Sequence, residues 1–220
     1  MNCLNENMTI TPKDDAENEF LIGLLELQYG EPVEGKLKRL ASDVSWAQGW
    51  PVEKRAFWNG EAFMWGRKID MRLRSVISSE LSAFNTGRNL DIGCGAFSYV
   101  PSVGFDVSEK MLQFNDQCSE KMVGDLNVRL PFADGVFDSV TAVFVLNYVE
   151  NLNGLLLEVK RVLRKSGRFM VVLYSGQVNE WQRQKQVREL TLLGWRGVLE
   201  GSGFRVRVWE REGLWFLEGG

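Results

Sequence analysis

From residue 89 to its end, the chain alternates short apolar segments with segments of helical periodicity. This alternation restricts the fold, because strands separated by helices build parallel βαβ units. The last two strands are close enough to form a hairpin, which adds one antiparallel strand. The predicted strands are residues 89–92, 103–107, 121–124, 137–145, 169–174, 204–209 and 214–217. The sequence therefore predicts an α/β fold with a mostly parallel sheet.

Helices are predicted between these strands from their apolar spacing and their capping residues. Ser108 is a suitable N-cap for a helix over residues 109–114, and Asn153 is a suitable N-cap for the helix that follows the fourth strand. Polar residues 180–193 and the short segment 195–199 are predicted to be helical as well.

The first 86 residues have a different pattern. Residues 1–16 contain few apolar anchors and are expected to fray. Apolar residues then recur at spacings of three or four from Phe57 to Phe84, which indicates a helical stripe. We therefore predict two parts, namely an N-terminal tail with a helical cap or lid (residues 1–86) and a second domain (residues 87–220).

Composition excludes several classes of function. A net charge of −3 and a pI of about 5.3 do not favour a nucleic-acid partner. The longest apolar run, residues 140–146, is too short to cross a bilayer, and residues 1–19 show no secretory signal. Cys3, Cys94 and Cys118 form no disulfide or zinc pattern, which favours reduced thiols in a cytoplasm. The chain has no histidine, so we expect neither a His-ligated metal nor a histidine general base.

Residues 90–95, Leu-Asp-Ile-Gly-Cys-Gly, are the sharpest local signal. A strand ends there, and two glycines allow the backbone to turn tightly and lie close to a ligand. Asp106 ends the next strand, where a carboxylate can accept both hydroxyls of a ribose. The alternative roles are a plain strand-to-helix turn for the glycines and a helix cap for Asp106, although Ser108 already supplies a cap. Asp125 and Leu126 follow the third strand, where they could meet the edge and the face of an adenine.

These segments stand in the order of a known family. The further segments are residues 104–108 (Gly-Phe-Asp-Val-Ser), 124–125 (Gly-Asp), 130–138 (Leu-Pro-Phe-Ala-Asp-Gly-Val-Phe-Asp) and 158–167 (Glu-Val-Lys-Arg-Val-Leu-Arg-Lys-Ser-Gly). Together they resemble the class I S-adenosylmethionine-dependent methyltransferases, in particular those that act on small molecules. The resemblance covers residues 89–217. It implies a Rossmann-like seven-stranded sheet in the order 3-2-1-4-5-7-6, with strand 7 antiparallel and helices on both faces.

The resemblance also implies a cofactor, S-adenosyl-L-methionine, with S-adenosyl-L-homocysteine as its product, at the carboxyl ends of the first strands. By position, Asp91, Gly93, Cys94 and Gly95 would form the methionine side, with Cys94 as a small structural residue within the turn. Asp106 would hold the ribose. The remaining predicted cofactor residues are Val107, Asp125 and Leu126 at the adenine, and Val143 and Phe144 at the sulfonium.

Two departures from the family pattern affect the methionine side. Phe97 stands where the family often has a third glycine. Residues 95–106 are shorter than usual and contain Pro101, so the first helix is expected to be a stub.

The acceptor side is less well defined by the sequence. Trp46, Trp50, Trp58 and Trp65 either pack the N-terminal helices or contribute to an acceptor pocket. Segments before the glycine turn often form a lid in this family, so residues 57–67, with Trp58 and Trp65, are the predicted acceptor wall. The acceptor itself and the methylated atom remain open, as does the oligomeric state.

Asn147 and Tyr148 stand where many relatives have histidines. Asn147 can orient an acceptor but cannot take its proton, and a neutral Tyr148 is a poor base near pH 7. Glu150 could accept a proton if it points inward. We therefore predict methyl transfer to a small molecule mainly by proximity and orientation, with Tyr148 and Asn147 in the catalytic positions.

Two other functions compete with this prediction. A catalytically silent scaffold or partner subunit is compatible with the Phe97 departure. A nicotinamide-dependent oxidoreductase fits less well, because Asp106 follows the glycines too early for the usual spacing.

Overall fold

The computed structural model describes residues 12–85, 87–176 and 180–220. Residues 1–11 of the segment predicted to fray lie outside them, whereas residues 12–16 are helical, contrary to that prediction. The helices are α1 (Pro12–Gln28), α2 (Glu34–Leu40), α3 (Lys54–Lys68), α4 (Met71–Phe84), α5 (Glu109–Phe114), α6 (Leu152–Val162), α7 (Glu180–Arg183) and α8 (Leu192–Gly201). The strands are β1 (Asn89–Ile92), β2 (Ser102–Asp106), β3 (Cys118–Val123), β4 (Phe137–Val143), β5 (Leu163–Tyr174), β6 (Val206–Arg211) and β7 (Leu214–Gly219).

The chain divides into two compact units, residues 1–64 and residues 65–220. Within the described part of the first unit, aromatic side chains form the centre. The ring of Phe20 meets those of Trp46 and Trp50 edge to face, at centroid distances of 5.5 and 5.7 Å. The indole N–H of Trp46 donates to Glu17 at 2.8 Å, and Asn59 donates to the Trp46 carbonyl at 2.9 Å. Trp46 and Trp50 are therefore packing residues of this unit.

The second unit is built on a seven-stranded sheet in the order β3-β2-β1-β4-β5-β7-β6. β7 runs antiparallel to both β5 and β6. The other neighbouring pairs, β3 with β2, β2 with β1, β1 with β4 and β4 with β5, are parallel. Both the order and the antiparallel seventh strand are as predicted, so the predicted fold is confirmed. The central strands β1 and β4 are buried almost throughout, as expected for parallel strands that are covered on both faces.

Helix α4 belongs to the sheet unit, whereas the sequence pattern predicted it to be part of the cap that ends at residue 86. Asp70 caps α4 by accepting from the Leu73 amide at 2.8 Å. The helix buries Val76, Ile77, Leu81 and Phe84 in one cluster with residues of β4, β5 and β7. The helical stripe of the sequence therefore ends on the sheet, and the compact units separate about twenty residues earlier than the predicted boundary.

Leu81→Ala is expected to lower the free energy of unfolding by about 2–5 kcal/mol, because Leu81 is 1% exposed and its loss leaves a cavity between α4 and the sheet. Chemical denaturation measures this loss. Ser79→Ala on the exposed face of α4 is the matched control and should stay within about 0.5 kcal/mol of the parent. A Leu81→Ala loss no larger than that of the control would contradict the packing of α4 on the sheet.

Several predicted element bounds differ from the structure. Residues 93–101, all of them described, form no helix, so even the predicted stub is absent. β3 begins at Cys118, three residues before its predicted start. Asn151, rather than Asn153, caps α6 by accepting from the Gly154 amide at 3.1 Å.

The predicted helix over residues 180–193 is reduced to α7. Thr191 caps the next helix, α8, by accepting from the Gly194 amide at 3.2 Å. Between the two helices, the backbone N–H groups of Val187 and Arg188 donate to the Asn147 carbonyl rather than within a helix. No helix within the described ranges is long and apolar enough to cross a membrane.

Candidate functional site

The glycine turn after β1 requires glycine on steric grounds. Gly93 and Gly95 have φ angles of 61° and 58°, in the left-handed region that side chains disfavour. A Cβ on Gly93 would lie 2.2 Å from Cγ2 of Val145, and the Gly93 amide donates to the Phe105 carbonyl at 2.7 Å. The turn is therefore fixed between the end of β2 and the segment that follows β4.

Asp106 connects this turn to the next helix. One carboxylate oxygen accepts from the Gly95 amide and the other from the Ser108 amide, both at 2.9 Å. Burial raises the pKa of Asp106 to about 6, against the opposing effect of these backbone hydrogen bonds. Ser108 is the N-cap of α5, as predicted, because its hydroxyl accepts from the Met111 amide at 3.0 Å. Asp106 therefore acts on the glycine turn and does not cap α5 itself.

Asp91 lies at the centre of a buried polar network under the turn. Its two carboxylate oxygens accept from the hydroxyls of Ser98 at 2.6 Å and Thr141 at 2.9 Å. Asn115 joins the network by donating to Ser98 and to the Gly95 carbonyl. Burial raises the pKa of Asp91 to about 6, and the nearby Asp106 adds to that increase. These bonds order residues 93–98 without a helix, and they engage both oxygens of Asp91 with protein groups.

The other predicted cofactor residues lie around the same sheet edge. Cys94 is buried in a cluster with Leu112 and Cys118, and the Cys118 thiol together with burial raises its pKa, as expected for an inert side chain. Asp125 follows β3 and accepts from Asn127 through both the amide and the side chain of that residue. Val107 is half-buried beside Asp106.

Three of these predicted residues have strong structural constraints. Leu126 packs in the main hydrophobic core, and Val143 packs in the cluster under α4. Phe144, directly after β4, has a φ angle of 56°, which is strained for a side-chain-bearing residue. Strain of this kind often occurs at functional sites, where the surrounding structure enforces it.

A cavity of about 540 Å³ opens at the carboxyl ends of β4 and β5. Six aromatic side chains line it, together with polar residues of α7 and of the segment that follows α7. The described lining residues are Trp65, Ile69, Asp70, Leu73, Phe144, Asn147, Tyr148, Leu173, Tyr174, Ser175, Gly176, Gln182, Arg183, Gln186, Glu189, Leu190, Trp195 and Trp215. Its volume lies in the usual range for small-molecule sites, about 300–1,000 Å³.

The cavity brings together four of the predicted site residues, namely Trp65, Phe144, Asn147 and Tyr148. Trp65 also reaches the glycine turn, since its indole nitrogen lies 3.2 Å from the position that a Gly95 Cβ would take. The other predicted cofactor residues are not among the described lining residues. Trp58 lies in the N-terminal unit, where its ring meets Phe57 edge to face at 5.1 Å.

The aromatic residues that β5, α8 and β7 contribute to this cavity were not predicted from the sequence. Tyr174 ends β5, Trp195 lies on α8, and Trp215 is paired with Leu173 across β5 and β7. Trp195 is 1% exposed and Trp215 is half-buried. The only sequence signal for Tyr174 was its place at the carboxyl end of a strand next to the fourth, where sites of open α/β sheets form.

The geometry of the sheet and the turn defines the class of protein. A sheet in the order 3-2-1-4-5-7-6 with an antiparallel seventh strand, and a glycine turn after its first strand, is the class I methyltransferase fold. Residues 90–171 match the family model described as "Methyltransferase domain". Over these residues the chain is similar to the class I S-adenosylmethionine-dependent methyltransferases, which confirms the resemblance predicted from the sequence.

Curated relatives are similar to part of the chain. A sterol 4-C-methyltransferase (strm-1) of Caenorhabditis elegans is 28% identical over 127 residues, covering 48% of this chain and 37% of that protein. A demethylmenaquinone methyltransferase of Tropheryma whipplei (strain Twist) is 35% identical over 98 residues, covering 39% of this chain and 41% of that protein. The chain thus spans about two fifths of the length of these two relatives.

Solved structures share the fold at low identity. A SAM-dependent methyltransferase from Aquifex aeolicus has a TM-score of 0.58 at 16% identity, covering 73% of this chain and 97% of its own. The complex named DhpI-SAM-HEP has a TM-score of 0.58 at 13% identity, covering 75% of this chain and 94% of its own. At these identities the likeness concerns the fold.

Proposed function

We propose that this chain transfers a methyl group from S-adenosylmethionine to a small-molecule acceptor bound in the cavity at the ends of β4 and β5. The observation that carries the proposal is the position of Trp65. Its indole lies against Gly95 of the glycine turn and also lines the cavity that holds Asn147 and Tyr148. The cofactor side and the acceptor side therefore meet at one side chain. A cytoplasmic location is part of the proposal.

The residues of the turn fit this cofactor. Gly93 and Gly95 carry no side chain at the strand ends where the family binds its methionine moiety, and the buried Gly95 has the Trp65 indole against it. Each oxygen of Asp106 accepts one protein N–H group, and a carboxylate has about four acceptor positions, so two remain for ribose hydroxyls. Asp125 and Val107 would lie at the adenine. When bound, S-adenosylmethionine supplies an electrophilic methyl group on a sulfonium.

Within this proposal the chain contributes position rather than proton transfer. Holding a nucleophile in line can supply most of the rate of a displacement that has a good leaving group. The chain has no histidine, and Asn147 cannot accept a proton at its amide. Tyr148 and Asn147 would orient the acceptor, while the aromatic walls exclude water from it. Glu150, the carboxylate considered as a base, is exposed and is not among the described lining residues.

Tyr148→Phe is expected to lower kcat by about tenfold or less, and Tyr148→Ala by more, because orientation uses the ring as well as the hydroxyl. Steady-state kinetics of both variants measure the difference. Complete loss of activity in Tyr148→Phe, together with a single ionisation near neutral pH in the wild type, would instead identify Tyr148 as a true general base.

Trp65→Ala is expected to weaken binding of an apolar aromatic probe, 4-ethyltoluene, more than it lowers the melting temperature. The half-buried indole forms part of the cavity wall, and large aromatic surfaces dominate such contacts. Trp209→Ala, at another half-buried tryptophan of the same unit that is not among the described lining residues, is the matched control and should leave probe affinity unchanged. An equal loss of affinity for the probe in both variants would contradict the assignment of Trp65 to the acceptor wall.

The proposed function is tested with S-adenosylmethionine labelled in its methyl group. Purified protein should bind S-adenosylhomocysteine, with a rise in melting temperature, because a ligand that binds only the folded state stabilises it. It should also transfer label to at least one small aromatic acceptor. Absence of any shift in melting temperature with S-adenosylhomocysteine would reject the cofactor. A shift without methyl transfer across a broad panel of acceptors would favour a second candidate function, a catalytically silent scaffold or partner subunit.

The second candidate is a catalytically silent scaffold or partner subunit with the same fold. One observation favours it, namely that both oxygens of Asp91 and both oxygens of Asp106 already accept hydrogen bonds from the protein. Carboxylates engaged in this way can maintain the turn without a ligand.

A further inference from the structure

The acceptor cavity contains a buried amide oxygen with no hydrogen-bond donor. Asn147 follows β4 and lines the cavity, and its Oδ1 has no partner among the described residues. A buried acceptor left without a donor is unfavourable, so such atoms in native structures usually meet a ligand or water. The backbone carbonyl of Asn147 accepts hydrogen bonds from the amides of Val187 and Arg188, and these bonds fix the main chain of Asn147.

The charges around the cavity also favour a ligand that donates hydrogen bonds. Among the described lining residues, Asp70 and Glu189 are acidic and Arg183 is basic. The Glu189 carboxylate is exposed and has no partner in the described part of the chain, and the Asp70 carboxylate accepts only the Leu73 amide there. Carboxylates and an open amide oxygen accept hydrogen bonds and repel anions.

The chemistry of methyl transfer then distinguishes two kinds of acceptor that could donate a hydrogen bond to Asn147, a phenol and an aromatic amine. A phenol must lose its proton at or before attack, which calls for a general base. The chain has no histidine to act as that base, and the two carboxylates among the described lining residues, Asp70 and Glu189, are exposed to solvent. An aromatic amine is already neutral and carries a free electron pair, so it can attack without prior deprotonation.

We propose that the acceptor is an aromatic amine whose N–H is donated to Oδ1 of Asn147, an inference that rests on the proposed methyltransferase function. The donated hydrogen bond turns the nitrogen electron pair away from Asn147, and the ring packs between the aromatic walls. The nitrogen then bonds to the methyl carbon while the carbon–sulfur bond breaks. The electron pair of the broken carbon–sulfur bond stays on sulfur, and the methylated nitrogen loses its extra proton to solvent when the product leaves the cavity.

The ligand class is tested by binding, without any need for turnover. Four probes of one shape are titrated calorimetrically into the full chain, namely 4-ethylaniline, 4-ethyltoluene, 4-ethylphenol and 4-ethylbenzoate. We expect the aniline to bind at least about fivefold more tightly than the toluene, and the benzoate to bind most weakly. Asn147→Leu should remove the preference for the aniline and leave the toluene affinity within about twofold. Asn153→Leu, at an exposed asparagine of α6, is the matched control.

Transfer of labelled methyl then separates the amine from the phenol, with label expected on 4-ethylaniline and not on 4-ethylphenol. Equal binding of aniline and toluene to the wild type overturns the inference, a result that does not depend on how the variant folds. Preferential labelling of the phenol also overturns it. An Asn147-dependent preference without label on any probe supports the ligand class and rejects the proposed activity instead.

Discussion

Asp106→Ala is expected to weaken binding of S-adenosylhomocysteine by about a hundredfold or more. Each hydrogen bond from a ribose hydroxyl to a charged carboxylate contributes about 1.5–3 kcal/mol, and the proposal assigns two of them to Asp106. The substitution also removes the acceptor of the Gly95 amide, which lies 2.9 Å from the carboxylate. The glycine turn then loses its fixed geometry, and this adds to the loss of affinity.

Isothermal titration of S-adenosylhomocysteine measures this effect, and the ligand-induced shift in melting temperature provides a second readout. Asp106→Asn separates the two causes, because an amide oxygen retains one acceptor for the turn while the charge is lost. Asp116→Ala changes an exposed aspartate just after α5 and serves as the control. An undiminished thermal shift in Asp106→Ala would remove Asp106 from the cofactor site.

The sequence was sufficient to predict the sheet, because ordered motifs mark the carboxyl ends of successive strands. It could not locate the element bounds that depend on tertiary contacts. The predicted helix over residues 180–193 is reduced to four residues, since the Asn147 carbonyl captures the amides of Val187 and Arg188. Local propensity contains no information about an acceptor that is some forty positions away.

The candidate site was predictable in part for the same reason. Asn147 and Tyr148 follow a strand end, so their place at the cavity could be inferred from position alone. The network of Ser98, Asn115 and Thr141 around Asp91 could not, because each is an ordinary polar residue whose role appears only when distant strands and loops meet. Trp58 and Trp65 looked equivalent in the sequence, yet only Trp65 is a described lining residue of the cavity.

The free energy of unfolding is expected to fall as the pH rises from about 4 to about 7. Burial raises the pKa values of Asp91 and Asp106 from 3.8 to about 6, so between these limits the folded chain holds protons that the unfolded chain has released. By linkage, the stability that this protonation contributes is fully present below the pKa that the carboxyl groups have in the unfolded chain. It is lost as the pH rises through the pKa that they have in the folded chain. At about 1.4 kcal/mol per pKa unit, the loss is on the order of 3 kcal/mol for each group.

Other carboxylates change the free energy of unfolding in the opposite direction, but they do so in a different pH range. Hydrogen bonds lower the pKa values of Asp138, through the Arg88 amide and Arg164, and of Glu158, through Arg161. The stability they contribute is lost as the pH falls below about 4, outside the window set by Asp91 and Asp106. The decline between pH 4.5 and 7 therefore reports on the buried pair under the glycine turn.

Chemical denaturation at half-unit steps of pH measures this decline, and Asp91→Asn identifies its source. The amide has nearly the same shape as the carboxyl group and does not titrate, so the decline should shrink by about half. Asp116→Asn, at an exposed position, should leave the pH profile unchanged. If Asp91→Asn kept the full decline, the raised pKa of Asp91 would not be its cause. A profile that rose steadily from pH 4 to 7 in the wild type would show that both carboxylates are charged in the folded chain.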